Sequence, residues 1–353
     1  MKKRILFLNG ANLGGAEMMT ILYAKILCNA GYKCKILTHI FPGKSDQTAT
    51  LIPKQISQET VKCKWRYYLI YVYFQIWKYQ PDIIFTYELN CLKYILSPIR
   101  KYHISPSFKI VGRCANTPSK VSEKCCKDMK ALNTSDIVIS QTNEMQDELR
   151  SIVGVDPEKI ITIYNPVNKE RIKEGILETY NFDKSYINYV AVARITKQKD
   201  YSTMIDAFAL VLKSQPNSRL YICGDMRDIA LSKSLIEVVK TSGLSENVFF
   251  EGFQPNPYKY LVQADAFVLS STYEGLPNAM LDAMYLGIPV ATTECIPYIP
   301  QVVSEGVNGY TCRVKDANGL AKAMLKAVKI KNLPKYVDVN SSEKKIINLF
   351  KTL

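Results

Sequence analysis

The residues best suited to chemistry lie in the second half of this 353-residue chain, within SSTYEGLPNAMLDAMYLGIPV (270–290). Glu274 and Gly275 fill the turn after an apolar strand, Pro277 suits a first helical position, and Gly287 suits a helix end. The amides of Gly275 and Leu276 would then sit at a helix N-terminus, ready for a phosphate or a hydroxyl. Asp282 interrupts the apolar run Ala279 to Met284. A carboxylate there is costly if buried alone, so it is expected to have a partner, either a ligand or a neighbouring loop. A second pair, Arg194 and Lys199, follows the apolar INYVAVA. A planar guanidinium fork and a compact ammonium can converge on a diphosphate, although with Lys197 between them a solvated basic loop fits the spacing too. A third group, Gly10, Gly14 and Gly15, separates a strand from a helix. It suits an anion at a helix N-terminus or simply a tight turn. It is neither a phosphate loop ending in Gly-Lys-Ser/Thr nor a G-x-G-x-x-G fingerprint.

These residues need elements to hold them, and the hydrophobic rhythm supplies a set. Strand Ile5 to Leu8, a glycine turn, a helix from Met18 to Ala30 stopped by Gly31, and strand Cys34 to Thr38 make a βαβ unit. A long helix over about 60–79 and strands at Ile83 to Thr86, Lys109 to Gly112, Ile137 to Ser140 and Ile160 to Tyr164 continue it, with Thr142 or Asn143 as a helix cap. Polar residues 169–184 read as a linker, and the rhythm restarts at Ile187. Further strands are predicted at Arg219 to Cys223, Val248 to Glu251, Ala266 to Ser270 and Pro289 to Thr292, with helices over 201–212, 229–242 and 277–286 between them. The expected fold class is α/β: two doubly wound Rossmann-like domains, 1–168 and 185–335, facing each other across a cleft. A closing helix within 336–353 is expected to pack back on the first. Ligands of such sheets bind at the carboxyl ends of the strands.

The length suits two domains, and 47% hydrophobic with 22% charged residues is a globular composition. Disorder, a collagen repeat and a disulfide-stapled miniprotein are excluded. The formal net charge of +14 is uneven. Residues 1–135 carry 21 basic and 7 acidic side chains, and the remainder carries 25 of each. Such an excess marks a surface for something anionic: nucleic acid, an acidic membrane or a phosphate-rich substrate. Ten cysteines show no C-x-x-C spacing, and only two histidines, His39 and His103, are present. Both read as ordinary surface or loop residues. The opening apolar run is too short for a signal sequence, so reduced thiols in the cytoplasm are expected.

Residues 65–79, WRYYLIYVYFQIWKY, hold eight aromatics, both of the chain's tryptophans among them. Apolar residues surround the predicted helix, broken by Arg66, Gln75 and Lys78. An all-round pattern fits a core helix; tyrosines and tryptophans beside lysines also fit a helix lying at a membrane interface.

The motifs together resemble the retaining family-four glycosyltransferases of the GT-B fold. The likeness runs through GGAE (14–17), SQTNEMQDEL (140–149), IYNPV (163–167), ARITKQKDYSTMIDAF (193–208), CGD (223–225), VFFEGF (248–253), residues 264–293 and EGVNGYTC (305–312). It implies that Arg194 and Lys199 bind the donor diphosphate and stabilise it as it leaves, and that Glu274 contacts the donor sugar. Asp282 matches the acid that holds the ribose hydroxyls, one methylene shorter than the usual Glu. Gly275, Leu276 and Asn278 match the loop meeting phosphate and nucleoside, with Gly224 and Phe253 further donor-side positions. Gly14 and Gly15 match the glycine loop beside the pyrophosphate and acceptor. Where many relatives place a histidine, this chain reads GRCANTPSK, and Arg113, Asn116 and Asn12 are the acceptor-side candidates. Ala193 replaces the usual Gly, and TECIPYIPQVV stands where a glycine-rich loop is usual.

The reading that results is a retaining glycosyltransferase. It would move a hexose or N-acetylhexosamine from a nucleotide donor, with UDP as first choice, to a lipid-linked or growing glycan in capsule or O-antigen-type synthesis. No D-x-D occurs, so neither metal nor other cofactor is expected. The protein would be cytoplasmic, peripheral on the anionic inner face of the membrane. The alternatives are a non-transferase GT-B enzyme such as a nucleotide-sugar epimerase, a binding-only homologue, or a basic nucleic-acid-binding protein. The last leaves residues 270–290 unexplained, and no nucleic-acid partner is expected.

Overall fold

The computed structural model describes residues 2–11, 14–43, 46, 48–102, 108–331, 333 and 339–353. It divides into two compact units, Met1–Pro166 with Asp338–Leu353, and Val167–Val337. The first is built on β1 (Arg4–Gly10), β2 (Lys33–Ile40), β3 (Ser57–Lys62), β4 (Ile83–Thr86), β5 (Lys109–Arg113), β6 (Ile137–Ser140) and β7 (Ile160–Thr162). These form one parallel sheet in the order β3-β2-β1-β4-β5-β6-β7.

Successive side chains leave opposite faces of a strand, so apolar runs of this kind bury a sheet on both sides. Ile5, Phe7, Ile36, Phe85, Val111 and Ile139 line one face, under helix Gly15–Asn29 and the last helix, Val339–Thr352, through its Ile346, Leu349 and Phe350. Leu6, Leu8, Leu37, Ile84, Ile110 and Val138 line the other, under helix Trp65–Tyr79 and the segment carrying Leu92, Ile95 and Leu96.

Two differences from the predicted elements have one cause. β3 occupies residues that the periodicity assigned to a helix over 60–79, and that helix begins only at Trp65. An edge strand with one neighbour, SQETVK exposes most of its side chains and carries almost no hydrophobic signal. His39, read as a surface or loop residue, is buried on β2, stacked on Tyr68 at 4.3 Å with Nε2 3.0 Å from the Cys63 carbonyl. His103 lies outside the described residues.

The second unit contains β8 (Ile187–Val192), β9 (Ser218–Cys223), β10 (Val248–Gly252), β11 (Ala266–Leu269), β12 (Val290–Thr293) and β13 (Gly309–Cys312), all parallel, ordered β10-β9-β8-β11-β12-β13. Helices Tyr201–Ser214, Ile229–Thr241 and Ala317–Ala327 cover one face. Helix Asn278–Tyr285 buries Met280, Leu281 and Met284. The stretch 169–184, read as a linker, carries helix Lys169–Gly175, capped by the Asn168 side chain and with Ile172 buried. Beyond it Tyr180 stacks on Tyr260 at 4.3 Å and Phe182 packs on Tyr221 at 4.6 Å, so aromatic contacts fasten this polar-looking segment to the second unit.

All ten cysteines are free. No helix among the described residues is long and apolar enough to cross a membrane.

Candidate functional site

In the second sheet β8 and β11 are neighbours although they are not consecutive in the chain. The winding reverses between them, and at such a switch point the loops after the two strands part to leave a binding crevice. The loop after β8 carries Arg194 and Lys199; the loop after β11 carries Ser271 to Leu276.

The two loops are tied together by hydrogen bonds. Ser270 Oγ donates to the Lys199 carbonyl at 2.7 Å, and the Thr272 amide donates to the Gln198 carbonyl at 2.9 Å. Thr293 Oγ1, at the end of β12, donates to the Ser271 carbonyl at 2.6 Å. Lys197–Lys199 makes one turn of 3-10 helix, after which Asp200 takes φ +46°. A left-handed conformation is unfavourable for aspartate and persists where the surroundings fix it. Here the Asp200 carboxylate caps helix Tyr201–Ser214 and accepts from Thr203 Oγ1 at 2.7 Å. That reversal sends Lys199 inward.

Lys199 Nζ forms an ion pair with Glu274 Oε1. Ser271 Oγ donates to the same oxygen at 2.6 Å, and Gln198 Nε2, 3.4 Å from Oε2, donates to the Tyr273 carbonyl at 2.8 Å. Glu274 is buried, so this network compensates its desolvation. Arg194 differs: its side chain is exposed, and it makes no hydrogen bond or ion pair among the described residues. One cation is thus held on an internal carboxylate and the other stands free at the same strand end.

Gly224 ends β9 beside them. Its amide donates to the Gly252 carbonyl at 2.8 Å, and a Cβ there would collide with the Ala193 carbonyl oxygen, which already accepts from Tyr201 at 2.7 Å. Glycine is required because two backbones touch. Phe253, after β10, is 39% exposed. Pro277, expected at the first helical position, stands one place earlier as the cap, and Asn278 opens the helix with Gly275 and Leu276 buried before it. Gly287 ends it at φ +76°.

Asp282 is partnered inside its own unit. Tyr258 donates to Oδ2 at 3.2 Å, and Arg171, whose guanidinium lies 5.6 Å from the Tyr258 ring, attracts the charge. Burial nevertheless pushes the Asp282 carboxyl up to about 7, against both of these pulls. A carboxyl that ionises near 7 when folded and near 4 when unfolded costs stability as pH rises between those values. Asp282→Asn is therefore expected to gain on the native protein by about 4 kcal/mol between pH 4 and pH 8. Melting temperatures across that range check it; parallel curves for the two proteins would refute it.

The remaining candidates belong to the first unit. Gly14 caps helix Gly15–Asn29 without a side-chain bond, and Asn12 lies outside the described residues. Arg113 is fully buried at the end of β5; Nη2 donates to Asn165 Oδ1 at 2.7 Å, and Asn165 donates on to Gln141 at 3.0 Å. It holds the ends of the strands together from within. Asn116 is exposed, and its carbonyl accepts from Cys114 Sγ at 3.1 Å. Sequence reasoning passed over Gln198 and Ser271, which sit inside the motifs it used, and Tyr258 and Arg171, for which no local signal exists.

Comparison with known proteins gives two family matches that meet near the unit boundary: Glycosyltransferase Family 4 over residues 13–171 and Glycosyl transferases group 1 over residues 173–344. An uncharacterized glycosyltransferase of Methanocaldococcus jannaschii is 28% identical over 237 residues, covering 62% of this chain and 57% of that protein. The N-acetylgalactosamine-N,N'-diacetylbacillosaminyl-diphospho-undecaprenol 4-alpha-N-acetylgalactosaminyltransferase of Campylobacter jejuni is 26% identical, covering 45% of this chain and 42% of that protein. The alignments thus span less than two thirds of either relative. Among solved structures, the Anabaena protein HepE in complex with UDP-glucose superimposes with a TM-score of 0.79 at 19% identity, over 99% of this chain and 100% of that one.

Proposed function

Because this chain belongs to the GT-B glycosyltransferases, its two halves matched by two glycosyltransferase families, we propose that it is a retaining sugar transferase. It takes a hexose or N-acetylhexosamine from a nucleotide-diphosphate sugar, UDP first, to a lipid-linked or growing glycan of a surface polysaccharide. The observation that carries this reading is the pair of cations after β8, with Arg194 free and Lys199 held on Glu274. As the bond from sugar C1 to the diphosphate oxygen breaks, negative charge grows on the leaving diphosphate, and fixed cations stabilise it most where they need no rearrangement. The acceptor hydroxyl attacks C1 from the face the diphosphate leaves and passes its proton to the departing diphosphate oxygen, so configuration is kept. Glu274 contacts the sugar and Asp282 the ribose. The cations make a metal unnecessary, and the acceptor is met at the anionic membrane face.

The Campylobacter relative's name gives it a diphospho-undecaprenol-linked acceptor, which supports the lipid-linked class. A thermal-shift screen with UDP, GDP, ADP and their sugar conjugates, with and without EDTA, tests the donor. A ligand at a hundred times its dissociation constant adds about 2.7 kcal/mol, a clear rise in melting temperature. The expected outcome is a selective rise with one nucleotide that EDTA leaves unchanged. No response from folded protein would remove the donor site, and a rise abolished by EDTA would remove metal independence.

A further inference from the structure

Helix Trp65–Tyr79 has two apolar faces, and only one is used. Tyr68, Val72 and Ile76 are buried against the sheet, and Gln75 is buried with its Oε1 accepting from Lys35 at 2.8 Å. On the opposite side Tyr67, Ile70, Tyr73, Phe74 and Trp77 are all exposed, Ile70 by 68% and Trp77 by 66%. At 3.6 residues per turn these five fall within an arc of roughly 120°, and the exposed Arg66 and Lys78 fall about 20° from its two edges. The Arg66 guanidinium lies 4.8 Å from the Tyr67 ring and the Lys78 ammonium 6.0 Å from the Phe74 ring. The helix contains no acidic residue.

We propose that this outward face docks the protein on an anionic lipid bilayer, with Ile70, Phe74 and Trp77 in the headgroup–acyl boundary and Arg66 and Lys78 at the lipid phosphates. Contiguous exposed aromatic surface of this kind marks an interaction site. Amphipathic aromatic rings settle at headgroup depth, and long basic side chains reach past them to the charge. Charge selects the occupant. Residues 1–135, which include this helix, carry the whole +14 excess, which complements an acidic surface. A second copy of the same face would set Arg66 and Lys78 against like charges. This docking rests on the part of the proposed function that meets the acceptor at an anionic membrane, and because it needs no donor and no catalytic residue, it and the donor site can fail separately.

Both tryptophans of the chain, Trp65 and Trp77, lie on this helix, so all of the protein's tryptophan emission reports on it. The experiment adds vesicles of phosphatidylcholine, alone or with phosphatidylglycerol, to the full chain at low salt and follows emission, quenching by brominated lipid and co-sedimentation. Anionic vesicles are expected to shift the emission to the blue, to quench it with brominated lipid and to bind at least tenfold more tightly than neutral ones. Ile70→Glu with Phe74→Glu is expected to weaken binding on the order of a hundredfold or more, since it removes two inserted apolar groups and adds like charge to the lipid. Lys78→Gln should weaken it about fivefold. All three residues are exposed, so the melting temperature and its response to nucleotide should stay as in the native protein. The proposal fails if anionic vesicles leave emission and sedimentation unchanged, or if the double variant binds like the native chain. It fails too if these substitutions abolish self-association of a protein that ignores vesicles, for the face would then be covered by a second copy.

Discussion

Arg194→Ala is expected to lower turnover a hundredfold or more while leaving the melting temperature within about a degree of the native value. The two halves of that expectation come from different observations. Arg194 is exposed and makes no hydrogen bond or ion pair among the described residues, so the fold does not depend on it, and surface substitutions of that kind usually stay within about 0.5 kcal/mol. Its position after β8, at the switch point of the sheet, is where the proposed function puts the charge of the leaving diphosphate, and losing one preorganised donor to such charge typically costs on the order of a hundredfold to a thousandfold in rate. Because the stabilisation is greatest in the transition state, kcat should carry most of the loss. Arg194→Lys should recover part of it, since the charge returns without the fork. Steady-state kinetics of the three proteins decide the matter, and near-native turnover by the alanine variant would overturn the assignment.

Glu274→Ala has the opposite profile. Glu274 receives Lys199, Ser271 and Gln198 in a buried network, and removing it leaves a largely buried ammonium without its counter-charge. Breaking one side of such a pair costs about 2–4 kcal/mol when some solvent still reaches the lysine, which for a unit of this size lowers the melting temperature by roughly 5–15 °C. Activity should be lost as well, because Lys199 is then no longer fixed beside Arg194. Lys199→Met with Glu274→Leu removes both charges and is expected to restore much of the stability and none of the activity. Calorimetry and turnover measured on the same samples separate the outcomes. A stable, inactive Glu274→Ala protein would mean that Glu274 acts on the substrate without supporting the fold.

How much of this was readable beforehand depended on whether a feature announces itself locally. The parallel strands did, because β1 and β4 bury both faces and appear as unbroken apolar runs. β3 and β13 did not. The first is polar, and the second is four residues at a sheet edge, where Gly309 lies so close to the Val290 carbonyl that no side chain fits. Arg194 and Lys199 fit a solvated loop on spacing alone, and they and Glu274 drew their expected roles from the family resemblance; the ion pair between Lys199 and Glu274 became visible only in the folded chain. The partners of Asp282 were invisible, since Tyr258 and Arg171 reach it only through the folded chain. Helix Trp65–Tyr79 is the instructive case. Its inward face and its outward face are equally apolar, so hydropathy could not show which one the protein covers, and only packing separates Tyr68 from Tyr67.

The first unit is assembled from both ends of the sequence, since Ile346, Leu349 and Phe350 complete the core around Ile21, Leu22 and Tyr23. During synthesis those early residues leave the ribosome long before their covering helix exists. The usual order, in which the domain made first is finished first, is therefore inverted. The second unit, Val167–Val337, can close while its predecessor still waits with an open apolar face, and a nascent chain stalled between them would be the form most in need of a chaperone.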